Sequence, residues 1–135
     1  MDKARQLAIE ITERLPLKNL RQARMNVEKM QALGVCIELD DAGTGYCGAS
    51  YLQELSIDVL KIDKLFVDTL TVSPDRTQVL DAYIQMAKSL GMQIIAEGVE
   101  TSAQSEALVA RGTRFQQGYL FAKPRSKVEF FCVLA

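Results

Sequence analysis

The chain has 135 residues, 48% of them hydrophobic, enough apolar material for the core of one modest domain. With 16 basic against 17 acidic residues and a net charge of −1, it offers no broad electrostatic attraction to nucleic acid or to a membrane surface. It contains no histidine, which excludes a Ser-His triad, an H-E-x-x-H zinc site and an imidazole base, so acid-base work falls to carboxylates, lysine or tyrosine.

No apolar run approaches the about 18 residues of a membrane span, and the Met1-Asp2-Lys3-Ala4 start has no signal-peptide pattern, so a soluble domain is expected. Cys36, Cys47 and Cys132 share no C-x-x-C spacing, which speaks against a disulfide framework and a zinc ribbon and fits a reducing cytoplasm.

Residues 7–13, Leu-Ala-Ile-Glu-Ile-Thr-Glu, are rich in β-branched side chains and read as a strand with Glu10 and Thr12 on one face and Ile9 and Ile11 on the other. Pro16 ends it. Apolar residues then recur at Leu20, Ala23, Val27, Met30 and Leu33, helical spacing over 19–33 with Gly34 as the stop. The run 35–39 is a second strand leading into Asp40-Asp41-Ala42-Gly43-Thr44-Gly45-Tyr46, followed by a short helix over 48–55. Residues 57–63 read as a third strand with Lys61 and Asp63 on one face. Ser73-Pro74 has the form of an N-cap with proline in the first turn, opening a helix that presents Leu80, Tyr83, Ile84, Ala87 and Leu90 and closes at Gly91.

Residues 92–96 form a fourth strand ending in Glu97-Gly98-Val99-Glu100, and Thr101 with Gln104 makes a capping box for a helix to Arg111. A fifth strand is expected over 115–121, carrying Gln116-Gln117-Gly118-Tyr119, and Ser126 with Glu129 caps a last short helix. Five β-α repeats imply an α/β fold with a mainly parallel sheet, either open and doubly wound or part of a (β/α)8 barrel. In both, ligands gather at the carboxyl ends of the strands, where Glu10, Asp40, Asp41, Lys61, Asp63, Glu97 and Gln117 fall. Five acids around one lysine repel each other unless protonated or neutralised, and oxygen-only ligands point to Mg²⁺ or Mn²⁺. A metal pair clamping a phosphodiester is the natural use of such a set. Glu38 shares the inward face with Asp40, where a charge is costly unless paired.

Taken singly, each feature has an ordinary structural explanation: Asp-Asp-x-Gly as a turn, Lys61 as a snorkelling surface residue, Glu13 as a first-turn acid, Cys36 and Cys132 as core thiols. Together they resemble the EAL domain cyclic-di-GMP phosphodiesterases. Glu10-Ile11-Thr12-Glu13 is similar to that family's E-L-T-E motif, the segment from Asp40 to Tyr46 to D-D-F-G-T-G-Y, and Lys61-Ile62-Asp63 to K-I-D. Glu97-Gly98-Val99-Glu100 matches E-G-V-E, and Gln117-Gly118-Tyr119 matches Q-G-Y.

The resemblance implies a partial TIM-type barrel of about five β-α units and hydrolysis of cyclic di-GMP to linear pGpG with two Mg²⁺ or Mn²⁺ ions. It implies that Glu10 and Asp40 ligate the first metal and Asp40 and Asp41 the second. Lys61 contacts the hydrolytic water, and Glu97 serves as second-metal ligand or as base through water. Glu13 braces the loop after Asp41, Asp63 supports Lys61, and Gln117 helps to position the site. It further implies that residues 1–135 are the C-terminal part of such a domain, without the strands that carry the E-A-L motif, and that the domain dimerises. Ala42 replaces the family's phenylalanine. The alternatives are a non-catalytic remnant that binds nucleotide or protein through open strand edges, and Schiff-base chemistry on Lys61, which surrounding carboxylates disfavour by keeping the amine protonated.

Overall fold

The computed structural model describes residues 6–12, 18–42, 49–126 and 129. Five strands, β1 (Ala8–Thr12), β2 (Cys36–Ala42), β3 (Val59–Ile62), β4 (Gln93–Ala96) and β5 (Phe115–Gln116), form one sheet in the order β1-β2-β3-β4-β5. All four pairings are parallel. The helices are α1 (Leu20–Ala32), α2 (Ala49–Glu54), α3 (Lys64–Val72), α4 (Gln78–Ser89) and α5 (Ser102–Ala110). Sequential parallel strands with helical crossovers make this a section of a TIM-type barrel.

The register separates the two faces of the sheet. Ile37, Leu39, Leu60, Ile62, Ile94 and Ala96 lie beneath the helices, all under a tenth exposed, and burying each large aliphatic side chain contributes roughly 1.5–3 kcal/mol. The opposite face carries Glu10 beside Glu38 and Thr12 beside Asp40, then Val59 and Lys61 of β3. Glu38 therefore shares a face with Asp40 and Lys61. β3, with neighbours on both sides, is buried throughout, whereas β1 lies at a sheet edge and is largely exposed.

Helix α1 begins where the sequence places it, because the Asn19 side chain accepts a hydrogen bond from the Gln22 amide at 3.0 Å. Three expectations about the elements, and one about Cys36, require correction. First, the strand expected over 57–63 ends at Ile62, and Asp63 caps α3 through a 2.7 Å bond from the Leu65 amide. Helix α3 itself is absent from the sequence reading, although Phe66, Val67 and Leu70 behind an Asp cap have helical spacing; Val67 and Leu70 are buried. Second, Ser73 closes α3 through a bond from its amide to the Thr69 carbonyl and makes no side-chain cap, so Pro74–Arg76 form one 3-10 turn and the next helix starts at Gln78.

Third, β5 stops at Gln116, because the chain turns at Gly118 and folds against the backbone of Val99. The thiol of Cys36 is only part-buried, on the open face of the sheet rather than in the core, and burial with the nearby Asp58 and Glu38 carboxylates pushes its pKa up. The capping bonds between Ser126 and Glu129 are present, while the helix expected beyond them lies outside the described residues. So do Glu13, Cys47, Cys132 and the loop 43–48; of Asp41 and Ala42 only the backbone is described.

Candidate active site

The carboxyl ends of β1, β2, β3 and β4 deliver Glu10, Asp40, Lys61 and the adjoining Glu97 to one place. Lys61 is 7% exposed at its side chain, and its Nζ lies 2.5 Å from Glu10 Oε1, 2.8 Å from Glu97 Oε1 and 3.6 Å from Asp40 Oδ1. The first two are charge-assisted hydrogen bonds. The third is an ion pair without a hydrogen bond, so Asp40 Oδ1 is buried with no hydrogen-bond partner among the described residues.

The backbone explains why Asp40 stands apart. Leu39 pairs with Leu60 and Ala42 with Ile62, so β2 has one residue more than β3 across this step. That register shift falls at the Asp40-Asp41 pair and has the two-against-one count of a β-bulge, a device that re-aims side chains where a ladder ends.

Burial opposes the charge on Lys61, but hydrogen bonds to Glu10 and Glu97 and the fields of Glu97 and Asp40 outweigh it and push its pKa up. Lys61 keeps its proton, and the neutral amine that a Schiff base requires is disfavoured. Burial also raises Glu97 above the usual carboxylate range; Lys61 pulls it back, and Asp40 and Glu10 push it up again.

Asp63 and Gln117 fall beside this cluster rather than in it. Both line an adjacent cleft of about 470 Å³ together with Lys64, Glu97, Gly98 and Tyr119. Asp63 is engaged in capping α3, while Lys61 pairs with the three acids, through hydrogen bonds to Glu10 and Glu97 and an ion pair with Asp40. The Gln117 amide donates to Ala96 and its carbonyl accepts from Val99, which ties the segment to the end of β4. A cavity of equal volume at the amino end of the sheet is lined by Cys36, Asp58 and Gln93 and holds none of the converging acids.

The rim carries a second cation that the sequence reading did not include. Lys64 Nζ is 3.1 Å from Asp68 Oδ1 and 3.0 Å from Glu100 Oε2. Its signal in the sequence was its place in the first turn of α3, lost when that helix was missed.

Among the described residues no group of three His, Cys, Asp or Glu is disposed to hold a metal ion; Glu10, Asp40 and Glu97 converge on Lys61 instead. Two features nonetheless suit a hard divalent cation. The donors are all carboxylate oxygens, and a buried oxygen of Asp40 is left without a hydrogen bond.

Comparison with known proteins agrees with this geometry. The EAL domain profile matches residues 2–124, and the chain belongs to that family. It is 40% identical over 128 residues to the probable cyclic di-GMP phosphodiesterase PdeG of Escherichia coli K12, covering 95% of this chain and 25% of PdeG. The crystal structure of the EAL domain of Mycobacterium smegmatis DcpA superposes with a TM-score of 0.89 at 35% identity, over 94% of this chain and 57% of that one. Klebsiella pneumoniae BlrP1, in a complex with manganese and cyclic di-GMP, superposes with a TM-score of 0.79 at 30% identity, over 90% of this chain and 31% of that one. The chain thus spans about a quarter of PdeG and just over half of the DcpA EAL domain. No helix among the described residues is long and apolar enough to cross a membrane.

Proposed function

We propose that residues 1–135 are the C-terminal portion of an EAL-type phosphodiesterase domain and supply much of its active-site rim, for metal-dependent hydrolysis of cyclic di-GMP to pGpG. The observation that carries this reading is the convergence of Glu10, Asp40 and Glu97 on the buried ammonium of Lys61 at the ends of four adjacent parallel strands. The manganese and cyclic di-GMP in the BlrP1 complex support it.

In this reading Glu10 and Asp40 would hold one Mg²⁺ or Mn²⁺, Asp40 with Asp41, whose side chain lies outside the described residues, would hold a second, and Glu97 would complete the second site or act as a base through water. Bound divalent ions supply Lewis-acid polarisation of the phosphodiester and a nucleophilic water at neutral pH. Lys61, protonated and nearly buried, would orient that water and offset phosphate charge. Asp63 holds α3 and so the end of β3, and Gln117 lines the cleft beside Glu97, while Glu13 lies outside the described residues. The exposed β1 edge, with Ile9 39% accessible and Leu7 just before the strand 58%, supports pairing with another strand, in a homodimer or a strand-swapped oligomer.

The test is Mn²⁺ binding to the 135-residue chain by electron paramagnetic resonance, followed by incubation with cyclic di-GMP. Saturable Mn²⁺ binding that Asp40→Asn abolishes, with pGpG appearing only alongside the metal, is the expected result. Failure of the unaltered chain to bind Mn²⁺ overturns the metal assignment.

A further inference from the structure

The segment that carries Glu97 is tied down residue by residue. The Glu97 amide donates to Ile62, the Val99 amide to Gln117, and the Leu120 amide to Val99. Gly98 has φ +67°, and a Cβ there would lie 2.5 Å from Lys64 Cβ, so the turn rests directly on the first residue of α3. The amides of Glu100 and Thr101 both donate to Gln104 Oε1, at 2.9 and 3.1 Å.

The other end of that carboxamide closes the circuit. Gln104 is 3% exposed, and its Nε2 donates to Asp68 Oδ1 at 3.1 Å, the oxygen that also receives Lys64 Nζ. Asp68 lies on α3, which follows Lys61 after only Ile62 and Asp63. The Lys61–Glu97 pair, 2.8 Å apart, therefore has its two ends on backbone segments locked to each other through Asp68 and Gln104.

We propose that Asp68 and Gln104 are positioning residues for Glu97, joining α3 to the 97–101 turn so that its carboxylate stays aimed at Lys61 and the Asp40 side of the site. A capping box needs only the bonds between Thr101 and Gln104. The added bond to Asp68, 36 residues distant, has no part in the cap and fixes the turn against α3. This inference rests on the metal-site reading above, in which Glu97 is a ligand or a base acting through water.

The test is Mn²⁺ affinity by electron paramagnetic resonance on the 135-residue chain and its Asp68→Ala and Asp68→Asn variants, with urea unfolding in parallel. Asparagine keeps an oxygen that accepts from Gln104 Nε2, and alanine does not. The expected result is affinity lowered about tenfold or more in Asp68→Ala, the scale on which outer partners of metal ligands act. Asp68→Asn is expected to stay near the unaltered chain, with both variants folded. Unchanged affinity in Asp68→Ala overturns the inference while leaving the metal site standing. Equal losses in the two variants also overturn it, because charge and not the accepting oxygen would then be the cause. An unaltered chain that binds no Mn²⁺ removes the metal site and the inference together.

Discussion

Of the three strand ends that carry acids toward Lys61, those of β2 and β4 are held in different ways. Beyond β4, the backbone of residues 97–101 is engaged by β3, α3, the start of α5 and the 117–120 turn, and Val99 is fully buried. At the end of β2 the ladder slips by one residue between Leu39 and Ala42, and Asp40 retains a buried oxygen with no hydrogen bond among the described residues. The backbone that carries Glu97 is thus fixed from several sides and its carboxylate is hydrogen-bonded to Lys61, whereas the Asp40 carboxylate meets Lys61 only as a 3.6 Å ion pair. An acid held by backbone contacts keeps its place when that charge is lost or exchanged. An acid held by charge is ready to turn toward a stronger cation.

The comparison is broken most severely on the β4 side by Gly118→Ala. A Cβ at this position would lie 2.1 Å from the Val99 carbonyl oxygen and 2.3 Å from its nitrogen, both backbone atoms without rotamer freedom. Overpacking against backbone is expected to cost about 3 kcal/mol in urea unfolding. It should also loosen the amides of Val99 and Leu120 in hydrogen exchange. A variant as stable as the unaltered chain would show that the 97–101 turn is not held from this side.

The charge that both sides share is removed by Lys61→Met. It removes the cation shared by Glu10, Asp40 and Glu97, whose side chains are 49%, 20% and 23% exposed. Breaking a buried ion pair costs about 3–5 kcal/mol, and the partial exposure of these acids reduces the expected loss to about 2 kcal/mol at pH 7. The loss depends on pH. Glu97 already titrates above its ordinary value of 4.5, so its protonated form contributes stability at low pH that disappears as pH rises through the folded-state value. Without Lys61 that upward shift grows, and the deficit of the variant should shrink as the pH is lowered toward 4.5. A deficit that widens on acidification would mean that Lys61 does not neutralise these carboxylates.

Much of this arrangement was legible in the sequence because it depends on local patterns. Alternation put Glu10 with Thr12 and Glu38 with Asp40, the rule that ligands gather at the carboxyl ends of parallel strands put Glu10 and Asp40 at one rim, and the observed register brings them together beside Lys61. The Thr101-Gln104 box fixed the start of α5. What was missed depends on contacts between distant segments. Lys64-Leu65-Phe66-Val67 is as rich in strand formers as in helix formers, and Asp63 as a cap gains its meaning only once β3 is known to end at Ile62. The bond from Gln104 to Asp68 spans 36 residues and leaves no periodic trace. The shortness of β5 follows from the contact of Gly118 with Val99, again a meeting of separate turns. The bulge at Asp40-Asp41 is a mismatch between two strands and is invisible in either alone.

A smaller change sharpens the contrast within the β4 side. Thr101→Ala removes the side-chain oxygen that accepts from the Gln104 amide at 3.2 Å, while the bonds from Glu100 and Thr101 amides to Gln104 Oε1 involve no Thr101 side chain. Loss of an N-cap of this kind costs about 1 kcal/mol. The expected outcome is a modest loss in urea unfolding with Mn²⁺ affinity nearly kept, which separates capping of α5 from clamping of Glu97. A large fall in affinity would show that the two are one device.

The smallest expected effect lies between α4 and α5, at a pair that touches neither strand end. The Arg111 guanidinium bonds Asp81 Oδ1 at 2.7 Å and holds that carboxyl below its ordinary 3.8, against the opposing effect of burial and with help from the Thr77 hydroxyl. A carboxylate with a lowered folded-state pKa contributes stability above its unfolded value and loses it as pH falls through the folded one. With Asp81 48% and Arg111 29% exposed, solvent screening leaves about 0.5 kcal/mol for the pair. Asp81→Asn should therefore lie slightly below the unaltered chain at pH 7, converge with it as pH falls below 3.8, and lose part of its deficit in high salt. Mn²⁺ affinity should be the same in both chains. A change there would mean that the α4–α5 pair communicates with the rim through α5, and that the turn bearing Glu97 is less locally fixed than its hydrogen bonds imply.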